Sequence, residues 1–83
     1  MNKNLEEIFD NASSQAEYIL IKATELYEHL QKVKNAENNK SAHFFLELSL
    51  SDISDIKRSL LQADIDNLNK AYTHLANSLT QGN

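Results

Sequence analysis

The chain has 83 residues, a formal net charge of -4 and no cysteine, so it fits a single domain whose core is marginal unless shared, and disulfides and thiolate metal sites are excluded. Acidic and basic residues are mixed along the sequence, a surface that repels phosphate backbones at long range and argues against nucleic acid. Hydrophobic residues make up 41%, proline is absent, and the single glycine is Gly82, so long uninterrupted helices are allowed.

The opening residues, Met1-Asn2-Lys3-Asn4-Leu5-Glu6-Glu7, lack the apolar run of a secretion signal. From Leu5 the apolar positions then step by four and three: Leu5, Phe9, Ala12, Ala16, Ile19, Ala23, Leu26, Leu30 and Val33. That heptad seam predicts a helix over about 4–34, with Asn4 as its cap, Glu7 completing a capping box and acidic residues at the positive end of the dipole. The run Tyr18-Ile19-Leu20-Ile21 is too short to cross a bilayer, so no membrane association is expected.

Asparagines concentrate at 35–41, where they suit left-handed backbone and local side-chain hydrogen bonds; this is the expected turn, preceded by Lys32 and Lys34 at the negative end of the first helix. A second helix is expected over about 42–79, carrying Ala42, Phe45, Leu46, Ser49, Ile53, Ile56 and Leu60, then Leu61, Ile65, Leu68, Tyr72, Leu75 and Leu79. The second half is shifted by about one position, a stutter around 53–61. A break near Leu50, at the capping-rich Ser51-Asp52-Ile53-Ser54-Asp55, is the alternative.

The expected fold is therefore all-α: a long antiparallel helical hairpin with coiled-coil spacing, dimerising into a four-helix bundle, the alternative being a three-helix bundle broken near Leu50. In the hairpin, residue numbers of facing positions add to about 77, placing Ala12 near Ile65, Ala16 near Leu61 and Ala23 near Ile53 or Ile56. Apolar residues outnumber one stripe per helix. Ile8, Leu20, Ile21 and Tyr27 lie off the first seam, as do Phe44, Leu48 and Ala76 off the second, and such a surface requires another partner. Leu20, Tyr27, Phe44 and Leu48 are the candidate protein-interface residues, since large apolar and aromatic side chains carry much interface energy.

The chemistry-bearing residues do not assemble a catalytic motif. The residues three before His29, His43 and His74 are Leu26, Lys40 and Ala71, which excludes the Glu-x-x-His ligand pattern of di-iron bundles. Glu25 and His29 form an i,i+4 pair, but one such pair is ordinary for a solvated helix face. A phosphate loop has no glycines to build it, and Ser49, Ser51, Ser54 and Ser59 read as helix-face or capping hydroxyls. No catalytic residue, cofactor or metal is expected.

The leading expectation is a cytoplasmic protein–protein interaction module, acting as adaptor, chaperone or inhibitor through apolar helix faces, with a protein partner and a homodimer as its assemblies. The alternative is a dimeric nucleic-acid-binding regulator using Lys32, Lys34 and Lys40 at the loop end; in architecture the expected hairpin is similar to the plasmid copy-number regulators of the Rop type, without a shared motif.

Overall fold

A computed structural model describes residues 3–81. Those residues are all helical apart from two short connections: α1 spans Lys3–Lys34, α2 Asn39–Ser59 and α3 Gln62–Gln81. The helix α1 matches its sequence pattern to within a residue, although its start at Lys3 puts Asn4 inside the first turn and not at the cap. The turn is shorter than expected because α2 starts at Asn39. Asn38 caps it: its side-chain oxygen accepts the backbone N–H of Ser41 at 2.8 Å. Among the described residues no non-glycine adopts positive φ, so the asparagines serve by capping and not by left-handed backbone.

The expected helix over 42–79 is two helices. The interruption lies at Leu60-Leu61, inside the stutter, and Leu50 sits within an unbroken α2. The physical reason is the phase of the contact stripe. Along α2 the least exposed positions include Ala42, Phe45, Ser49, Asp52, Ile56 and Ser59, which keep heptad spacing. Carried onward in one continuous helix, that spacing would reach Ala63, Asp66, Lys70, Thr73 and Asn77, a polar row. The interruption resets the phase so that Ala71 becomes the buried residue of α3. Locally, the Ser59 hydroxyl donates back to the Asp55 carbonyl at 2.9 Å, a bond that bends helices, and the Leu61 carbonyl accepts the backbone N–H groups of Asp64 and Ile65 at 3.1 and 3.3 Å.

The helices gather into two compact units. One comprises Ala16–Ser59, the second half of α1 with α2; the other comprises the described parts of Met1–Gln15 and Leu60–Asn83, the first part of α1 with α3. In the latter, Leu5 and Ala71 are the buried hydrophobic residues, and Gln15 donates to the Asp64 carboxylate at 2.5 Å. No fully described helix is long and apolar enough to cross a membrane.

Candidate interaction face

In the unit Ala16–Ser59, the side chains of α1 that face α2 differ from the apolar seam. Ile19, Leu26 and Val33 are there, half-buried as the pattern requires, but Lys22 and His29 alternate with them while Ala16, Ala23 and Leu30 are exposed. The contact stripe is thus turned by about one residue from the seam. What turns it is polar pairing across the hairpin. Lys22 Nζ lies 3.3 Å from Asp55 Oδ2, and His29 Nδ1–H donates to Asp52 Oδ2 at 2.6 Å. Asp52 is buried and so is Ser49, whose hydroxyl donates to the Phe45 carbonyl at 2.9 Å. Among the described residues no buried side-chain polar atom lacks a partner. The register agrees with the expected sum near 77: Lys22 meets Asp55, and the Lys32 ammonium stands 5.3 Å from the centre of the Phe45 ring.

A polar network closes one side of this hairpin. Lys22 binds Glu25 at 3.2 Å as well as Asp55, and Asp55 also accepts from Arg58. The hydrogen bond to Glu25, then that to Asp55, raises the Lys22 pKa above its ordinary value. Arg58 first, and Lys22 second, hold the Asp55 carboxyl below the usual range. Tyr18 lies under the same lysine, its ring centre 5.8 Å from the ammonium.

The opposite side is apolar. One step forward from the contact stripe of α1 lies a second heptad row, Ala16, Leu20, Ala23, Tyr27 and Leu30, every member exposed. One step forward on α2 lies Leu46, Leu50, Ile53 and Lys57, of which Ile53 alone is half-buried. Because the helices run antiparallel, advancing by one residue turns each helix toward the same side of the hairpin, so the two rows form one face. Its large members expose much of their surface: Leu20 67%, Tyr27 65%, Leu50 58%, Leu46 42% and Leu30 39%.

The four candidate interface residues divide between the two sides. Leu20 and Tyr27 lie together on the apolar face. Phe44 and Leu48 stand one step back from Phe45 and Ser49, hence on the other side, where Phe44 is exposed with its ring edge against Phe45 and Leu48 is half-buried. Leu30, Leu46, Leu50 and Ala23 are the members that the sequence reading left in the intrachain seam or did not single out. The signal that could have found them is the pair of parallel heptad rows one residue apart.

In the other unit, α3 carries a comparable row, Ile65, Leu68, Tyr72, Leu75 and Leu79, all exposed. A shallow hollow beside α3 is lined by Asn69, Lys70, Thr73, His74 and Asn77, all from one helix. Glu25 and His29, the i,i+4 pair, are each engaged elsewhere, by Lys22 and Asp52. Among the described residues no three His, Asp or Glu side chains gather as a metal group would require. Comparison with known proteins gave no significant match, whether to a family model, a curated protein or a solved structure.

Proposed function

We propose that this protein is a small, non-enzymatic protein-interaction module of the cytoplasm, which works by presenting an apolar helix face and pairs with a second copy of itself into a four-helix bundle. The observation that carries the reading is the face formed by Leu20, Ala23, Tyr27 and Leu30 of α1 with Leu46, Leu50 and Ile53 of α2. Its five large, most exposed side chains offer about 550 Å² at roughly 200 Å² for a fully exposed large side chain. Ala16, Ala23 and Ile53 extend that toward the approximately 800 Å² per partner of a standard stable interface. An apolar face at the upper end of what a soluble monomer leaves in water supports an association surface. An adaptor, a chaperone or an inhibitor would use it in the same way, by covering apolar surface on its target.

The test is sedimentation of two variants. Leu20→Glu places a charge in the middle of the face and is expected to abolish self-association while helicity is retained. Phe44→Ser, on the side that carries the Lys22 network, is expected to leave the mass of the wild type. Equal masses for wild type, Leu20→Glu and Phe44→Ser would remove the basis of the reading.

A further inference from the structure

The geometry of the pair follows from how the two rows are layered, on the reading that this face self-associates. On the register fixed by Lys22 with Asp55 and Lys32 with Phe45, Leu30 stands level with Leu46, Tyr27 with Leu50, Ala23 with Ile53 and Leu20 with Lys57. Each layer therefore takes one residue from each helix. We propose that a second copy of this chain docks on this face with the two-fold axis running along the helices, so that α1 of each copy lies against α2 of the other and matching layers meet.

The size of the side chains selects this arrangement over its rival. The α1 row contains two alanines, Ala16 and Ala23, whereas Leu46, Leu50 and Ile53 give α2 a row of large residues. An axis running across the helices would lay α2 on α2 and α1 on α1. The large α2 rows would then meet each other in one half of the interface and the alanine-bearing α1 rows of the two copies would meet in the other, which holds the helices apart on one side and underfills the other. The crossed pairing lays the α1 row, with its alanine, on the large α2 row in both halves, which are equal by symmetry: Ala23 meets Ile53 of the second copy, while Tyr27 and Leu30 meet its Leu50 and Leu46. It also sets the Lys57 stem against Leu20, at the end of the face where its ammonium can reach water. Because the face is the same on both copies, the contact closes at two chains and buries the approximately 550 Å² of large side chains on each.

The absence of cysteine makes the test clean. Ala23→Cys and Ile53→Cys are prepared as separate single variants, one carrying a size tag, mixed in denaturant, refolded together and oxidised. Adjacent facing positions lie within disulfide reach, whereas like positions on diagonally opposed helices do not. The expected result is that the linked product is mainly the mixed dimer of the two variants, with little self-linking of either alone. Self-linking of Ala23→Cys as efficient as mixed linking would overturn the crossed geometry, and so would a dimer by mass that forms no mixed link. A monomeric mass for the refolded, unoxidised mixture would overturn it by a different route, through failure of the self-association reading itself.

Discussion

Substitution of Asp52 by alanine tests the polar contact stripe inside the hairpin. Asp52 is only 5% exposed and accepts the His29 Nδ1–H at 2.6 Å. Its removal leaves a half-buried imidazole N–H without its acceptor, a loss of about 1–3 kcal/mol. Taking about 2 kcal/mol, and about 4–8 °C per kcal/mol for a domain of this size, the melting temperature should fall by about 8–16 °C. The assay is thermal unfolding followed by far-UV circular dichroism, wild type and variant at one protein concentration. The companion is the double replacement His29→Leu with Asp52→Leu, which exchanges a polar pair for an apolar one and is expected to regain most of the loss. The full cycle of single and double variants gives the coupling between the two positions. An Asp52→Ala protein within about 0.5 kcal/mol of wild type, the range of an ordinary surface change, would refute the argument that this pair turns α1 to present His29 inward.

Three further outcomes follow from the same geometry. If burial is completed by a second copy, the melting temperature depends on protein concentration: each tenfold dilution removes about 1.4 kcal/mol of association free energy, and the transition should drop by about 3–6 °C. Asp55 has a depressed pKa, so its contribution to stability is present above its ordinary value of 3.8 and is lost as pH falls through the lower folded value; Asp55→Asn should flatten the stability profile on that acid limb, measured by denaturant titration across pH. Lys22 has a raised pKa, so its contribution is complete below 10.5 and is lost as pH rises through the higher folded value; Lys22→Met should remove that alkaline loss in the same measurement.

Much of the backbone was legible in the sequence. An unbroken heptad with no proline or glycine over 30 positions leaves α1 little alternative, and the asparagine cluster marked the turn because Asn38 makes a good cap. The interruption of the second helix was harder to place. Ser51 to Asp55 carry capping side chains and drew attention to Leu50, yet serine and aspartate within a helix can equally bond back to it or pair across it, as Ser49, Ser59, Asp52 and Asp55 do here. The interruption instead fell where the contact phase must be reset, a property of two helices together and not of local composition.

The apolar face was only partly legible for a related reason. Hydrophobic spacing finds apolar rows, but two rows one residue apart on one helix look like one broad stripe, and nothing in the spacing says which row meets the chain's own second helix. The reading that put Ala16, Ala23 and Leu30 in the hairpin contact followed the more apolar row. The pairing of Lys22 and His29 with Asp55 and Asp52 across the hairpin gives the inner position to the more polar one. All four candidate residues lie outside the seam; Leu20 and Tyr27 stand on the side with Leu46 and Leu50, and Phe44 and Leu48 on the side that the Lys22 network occupies.

Coverage of the apolar face of the Ala16–Ser59 hairpin by a second copy is read from the solution mass of the wild-type protein, by light scattering across a dilution series. About twice the 9.4 kDa chain mass is expected at high concentration, falling toward one chain on dilution. A mass of one chain at every concentration, with helicity and a cooperative melt unchanged, would contradict it.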